Sequence, residues 1–102
     1  MTSRECVRAA VEHREPDRVP VDLGSTPSSG ISAIAYNNLV KHTGADSENA
    51  HVYDVVQELA QPEDSLLEQF NIDTVDIGRT FNTDPADWYR TALSDGSEAY
   101  YP

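Results

Sequence analysis

The chain has 102 residues, 18 acidic and 7 basic, a formal net charge of -11, and 38% hydrophobic residues at a mean hydropathy of -0.55. That balance excludes partners that need clustered Lys and Arg, so neither a nucleic-acid backbone nor an anionic membrane surface is expected. The single cysteine excludes an intrachain disulfide, no apolar run approaches the ~20 residues of a membrane span, and no signal peptide opens the chain, so the expected compartment is the cytoplasm.

Thr2 and Glu5 have capping-box spacing, and Cys6, Val7, Ala10 and Val11 recur on one helical face, which predicts a short helix to about His13. Glu15-Pro16-Asp17 breaks it, because Pro16 lacks a donor and disfavours helical geometry in Glu15. Arg18 to Leu23 then reads as a strand, although Pro20 argues against a central position in a sheet. The run Gly24 to Gly30, GSTPSSG, is a loop leading into a helix marked by Ile31, Ile34, Ala35 and Leu39, which runs to Thr43 with Gly44 as its left-handed cap.

Residues 45–50 read as a polar linker. The short apolar run from His51 to Val56 fits either strand or helix, and a short helical segment through Ala60 is the expectation. Pro62 suits the first turn of a further helix, with Glu63 and Asp64 at its positive end, Leu66, Leu67 and Phe70 on its buried face, and Asn71 ending it. Ile72 to Ile77 alternates as a second strand, with Gly78 and Arg79 at its carboxyl end. Finally, Trp88 to Leu93 and Ser97 to Tyr101 flank Asp95-Gly96, a two-residue hairpin signal.

The order helix, strand, small-residue loop, helix over RECVRAAVEHREPDRVPVDLGSTPSSGI resembles the opening of uroporphyrinogen decarboxylase-like proteins. It is most similar to their corrinoid-dependent methyltransferase branch, whose members tend to begin with TSRERVLAAL, EPDRVPV and a small-residue loop. The resemblance implies an α/β fold, the N-terminal part of a (β/α)8 TIM barrel with an inserted β-hairpin at 88–101. A complete barrel needs roughly 250 residues, so the barrel is incomplete in this chain, residues 1–102 are the opening portion of one domain, and exposed apolar faces are expected.

In such barrels the loops after the strands face the substrate. This makes Asp22, Ser25, Thr26, Ser28 and Ser29 after the first strand, and Asp76 and Arg79 at the end of the second, the candidate substrate-binding residues. The loop offers hydroxyls and backbone donors suited to a carboxylate or phosphate; the plain alternative is a strand-to-helix turn in which Ser29 or Ser32 caps the helix and Asp22 caps the turn. Asp76 and Arg79 are equally readable as a solvated ion pair.

Decarboxylases of the family carry an arginine-rich RQAGR element in the equivalent loop and an aspartate in FSDI, whereas here no arginine occurs between Arg18 and Arg79 and the second strand reads NIDTVDIGRTFN. The resemblance therefore implies a methyltransferase acting on a small molecule or thiol, with porphyrinogen decarboxylation as the alternative within the fold. A small acidic, non-enzymatic binding protein is the alternative outside it. The methyltransferases hold zinc through a His-x-Cys pair and a further Cys and work with a corrinoid protein. This chain has no such ligand set, so no catalytic or metal residue is assigned to it, and zinc, the corrinoid partner and the rest of the barrel belong to the expected parent. Cys6 reads as a buried structural thiol, and His13, His42 and His51 as helix-end or surface residues. Trp88, Tyr89, Tyr100 and Tyr101 read as cross-strand partners, the sharper alternative being an aromatic lid over a flat macrocycle.

Overall fold

The computed structural model describes residues 1–44, 48–77 and 84–102. The architecture is mixed α/β: helices α1 (Ser3–Val11), α2 (Ala33–Thr43) and α3 (Asp64–Gln69), and short strands β1 (Ile31–Ser32), β2 (Val52–Asp54), β3 (Leu59–Ala60), β4 (Tyr89–Ala92) and β5 (Glu98–Tyr101). The strands form two antiparallel sheets, one ordered β1-β3-β2 and the other the β4-β5 hairpin, joined by a parallel bridge between His51 and Tyr100. Among the described residues no helix is long and apolar enough to cross a membrane.

Local sequence builds the helices much as expected. The capping box forms at α1, with the Thr2 side chain accepting from the Glu5 N–H and the Glu5 carboxylate accepting from the Thr2 N–H. Ser32 caps α2 by accepting from the Ala35 N–H, and Gly44 closes it at φ 64° in the left-handed region. Asn71, at φ 51°, ends the α3 turn. Pro62, however, lies outside α3, whose N-cap is Glu63, and Phe70 is 41% exposed, so Leu66 alone is fully buried there.

The core centres on α2. Ala33, Tyr36 and Val40 pack with Ala50, Val52, Ala60, Leu66, Leu93 and Ala99. Asn37 ties the helix to the start of β5 and to the segment leading into β2: its amide nitrogen donates to the Glu98 carbonyl at 3.0 Å and the Ser97 hydroxyl at 3.2 Å, while its oxygen accepts from the Ala50 N–H at 2.8 Å. The helix α1 stands outside this cluster, burying Cys6 and Ala9, and the Cys6 thiol donates to the Arg18 carbonyl at 3.1 Å.

Four expectations are corrected. Residues 51–60 are strand, turn, strand instead of helix: Asp54 accepts from the Val56 and Gln57 N–H groups, Glu58 takes φ 55°, and Ala60 pairs with both Val52 and Ile31. Residues 18–23 form no strand and bend at Arg18 and Leu23, because Pro20 offers no donor and the Val21 N–H is taken by the Asp73 carboxylate at 2.8 Å. Residues 72–77 likewise form no strand, and they leave Val75 and Ile77 64% and 94% exposed. The hairpin turn spans Ser94, Asp95 and Gly96, closed by the Leu93 N–H donating to the Ser97 carbonyl at 2.7 Å. Only Gly96 has positive φ, the arrangement of a type I turn with a glycine bulge in place of a two-residue turn.

The radius of gyration is 14.9 Å, against about 13 Å for a compact chain of this length. Val19, Val21, Val75 and Ile77 are exposed on the segments 18–23 and 72–77, outside the α2 core.

Candidate functional site

The segments 18–23 and 72–77 lie side by side. The Asp73 N–H donates to the Val21 carbonyl at 2.9 Å, and one residue further along both segments the Thr74 hydroxyl donates to the Asp22 carboxylate at 2.6 Å, so the contacts advance in the same chain direction. A charged pair fixes this register from below. Arg18 donates both terminal guanidinium nitrogens to the Asp73 carboxylate, one at 2.7 Å, a two-pronged geometry that specifies orientation as well as proximity. The Asp73 side chain is fully covered while Arg18 is 38% exposed, and the arginine, the Val21 N–H and the Ser3 hydroxyl together hold the Asp73 carboxyl well below the usual carboxylate range.

Asp22 is the centre of the loop that follows. Its carboxylate accepts from the Ser25 hydroxyl at 2.8 Å, the Ser25 N–H at 3.2 Å and the Thr74 hydroxyl. Partial desolvation pushes its carboxyl up, but the hydroxyls of Thr74, Ser25 and Ser29 and the Ser25 N–H outweigh that and hold it below the ordinary value, so it is anionic at neutral pH. Ser29 also donates its hydroxyl to the Thr26 carbonyl at 3.2 Å within the 3-10 turn Pro27–Ser29, while Ser28 is exposed. Gly24, at φ 83°, is required where it stands: a Cβ there would lie 2.8 Å from the Pro62 ring.

The loop is thus a folded turn instead of an open cradle of backbone donors. The N–H groups of Gly24, Ser25, Ser29 and Gly30 are engaged within it, the Ala33 N–H donates to the Glu58 carbonyl, and Ser32 caps α2. The expected capacity for a carboxylate or phosphate is therefore not built from amides. What the site presents is an anionic Asp22 with hydroxyl groups around it, chemistry suited to a neutral or cationic polar group.

Of the residues expected here, Asp22, Ser25, Thr26 and Ser29 belong to one network. Asp76 is half-buried on the neighbouring segment, from which Thr74 reaches Asp22. Gly78 and Arg79 lie outside the described residues. The partners that sequence spacing missed are Thr74 and the Arg18–Asp73 pair, which come from 52 and 55 residues away.

Pro62 links this network to a second cleft. Its ring packs against Gly24 and also lines a cavity of about 590 Å³ with His51, Glu63, Trp88 and Tyr100. His51 is therefore not a linker histidine: it stacks on Tyr100 at 4.6 Å and receives the edge of Trp88 at 4.7 Å. Cross-strand pairing accounts for Tyr89 with Tyr101, whose rings are 6.2 Å apart, whereas Trp88 and Tyr100 face the histidine.

Comparison with protein-family models, with curated proteins and with solved structures finds no match to this chain.

Proposed function

We propose that the chain supplies the opening strand and helix units of a cytoplasmic, uroporphyrinogen decarboxylase-like β/α-barrel enzyme, of the branch that moves a methyl group between a small molecule or thiol and a corrinoid protein. One observation carries this reading beyond the sequence motifs: the segments read as successive barrel strands run side by side in one direction, and the Asp22 network lies at the end of the first. Barrel enzymes assemble their substrate sites from the loops that follow such strands. The exposed valines and Ile77 on the same segments are the apolar faces that further barrel elements would cover.

The chemistry of the loop favours methyl transfer over porphyrinogen decarboxylation. A substrate bearing many carboxylates needs cations, yet the loop's own charge is the Asp22 carboxylate, and Arg18 is engaged by Asp73. In this role Asp22 orients the Ser25 and Thr74 hydroxyls by accepting their protons' hydrogen bonds, which leaves the oxygens of both hydroxyls turned to accept from substrate.

The thiolate zinc centre that the resemblance implies does not fit this chain's residues. Cys6 is the sole cysteine, is fully buried, and donates to the Arg18 carbonyl. Such a centre would need thiolate ligands that these 102 residues do not supply.

The test is methyl transfer by the product of the whole reading frame, with methylated corrinoid protein as donor and a thiol as acceptor. Asp22→Asn is expected to lower kcat/KM by about 100-fold, the cost of misplacing a positioned site by roughly an ångström. Decarboxylation of uroporphyrinogen without methyl transfer would transfer the assignment to the other branch. A folded product with neither activity would remove the enzyme reading and leave binding through the apolar faces.

A further inference from the structure

The cleft behind Pro62 holds a second constellation, distinct from the Asp22 network. The donor atoms of Glu48, His51 and Glu63 all lie within 4.8 Å of one another, and the His51 Nε2 is 3.9 Å from a Glu48 carboxylate oxygen. Asp64 lines the same cavity, and its lining among the described residues includes no lysine or arginine. Three carboxylates thus share a cleft whose walls are otherwise largely aromatic rings and proline, with no lysine or arginine among the described lining residues to balance them.

We propose that Glu48, His51 and Glu63 form a binding site for a divalent cation of the zinc class. An imidazole with two carboxylates suits zinc or a neighbouring transition metal better than magnesium or calcium, which prefer all-oxygen shells. Three protein donors leave a coordination position open to water or a ligand entering the cleft. Tetrahedral ligands at 2.0–2.2 Å stand about 3.4 Å apart, so a donor set spread over as much as 4.8 Å has to contract by up to about 1.4 Å.

The fold determines which residue moves. His51 is held by its backbone, accepting from the Gln61 N–H at 2.7 Å and bridged to Tyr100, and its ring is stacked. Glu63 is held by its N–H, which donates to the buried Tyr36 hydroxyl at 3.0 Å. The Glu48 side chain is 69% exposed and stands outside every helix and strand, so it closes onto a pair already in position. This site uses neither the cysteine chemistry implied for the parent enzyme nor any residue of the Asp22 loop, so it stands or falls independently of the proposed reaction.

Trp88 reports on it directly, being the only tryptophan and 4.7 Å from the His51 ring. Titrating Co²⁺ into the 102-residue chain is expected to quench Trp88 fluorescence with one-to-one saturation, and Zn²⁺ is expected to compete where Mg²⁺ at equal concentration does not. Glu63→Gln and His51→Gln should each weaken binding by about tenfold or more, with the far-ultraviolet circular dichroism unchanged for Glu63→Gln, whose backbone contact to Tyr36 remains. His13→Gln, on the exposed end of α1, should bind as the parent does. The proposal is overturned by absent or non-saturating quenching, by equal competition from Mg²⁺, by competition from tetramethylammonium that marks the cleft as an organic-cation site, or by unaltered binding in Glu63→Gln.

Discussion

Tyr36→Ala is expected to destabilise the protein by about 3–5 kcal/mol, the range for removing a large buried aromatic side chain. Tyr36 is completely buried and heads the fully buried side chains by size, on the face of α2 that meets Val52, Ala60 and Leu66. Its ring fills the core while its hydroxyl accepts from the Glu63 N–H at the start of α3. Removal creates a cavity and also leaves that N–H without its partner, so the contact of helix α3 with α2 is weakened to the packing of Leu66. Tyr36→Phe separates packing from hydrogen bonding, since it keeps the ring and loses the hydroxyl that the Glu63 N–H donates to, at about 1–3 kcal/mol. A domain of this size has a total stability of about 5–15 kcal/mol, so the alanine variant should be substantially unfolded at modest urea concentrations. Urea unfolding followed at Trp88 measures both; an alanine variant within about 0.5 kcal/mol of the parent, the range of a neutral surface change, would show that α2 is not the centre of the core.

Acid should unfold the chain by separating the segments 18–23 and 72–77. In the folded state Asp73 is held well below the ordinary aspartate value of 3.8, first by Arg18 and then by the Val21 N–H, and Asp22 is held low as well. The unfolded chain therefore binds protons at higher pH than the folded chain does. The stability contributed by these two carboxylates is fully present above pH 3.8 and is lost progressively as pH falls below it. Asp73→Asn should flatten this acid dependence and lower stability at neutral pH. Arg18→Ala should lower it at least as much, because it leaves a covered carboxylate without its cation. Removing the exposed Arg8–Glu12 pair, by contrast, should have little effect. An unchanged acid transition in Asp73→Asn would mean that the pair does not hold the segments together.

What was legible in the sequence was what short stretches decide for themselves. Thr2 with Glu5, Ser32, Gly44 and the Asp95-Gly96 corner each act within a few residues, and each was readable as a cap or turn. Asp22, Ser25 and Ser29 were legible as one candidate cluster for the same reason. The run 51–60 was not, because its strand character comes from pairing with Ile31 and Ser32 and from the Asp54 turn, while its apolar residues alone suit a helix equally well. The two segments expected as strands form none, because strand ladders depend on partners, and here the Val21 N–H meets a side chain. Thr74 reaching Asp22, and Glu63 reaching His51, depend on chain reversals that no local spacing encodes. The aromatic pattern was legible as a hairpin but not as the wall of a cleft, since His51 lies outside the hairpin.

The most direct test of the central claim, that residues 18–23 and 72–77 are neighbours running in one direction and holding the Asp22 network between them, is amide hydrogen exchange at Val21 and Asp73. Both N–H groups are hydrogen-bonded across the two segments, to the Asp73 carboxylate and the Val21 carbonyl respectively. The account predicts that both are protected together, and that Asp73→Asn and Arg18→Ala reduce the protection of both. Exchange of both amides at the free-chain rate while those of α2 remain protected would contradict it, and would separate the Asp22 loop from any partnership with the second segment.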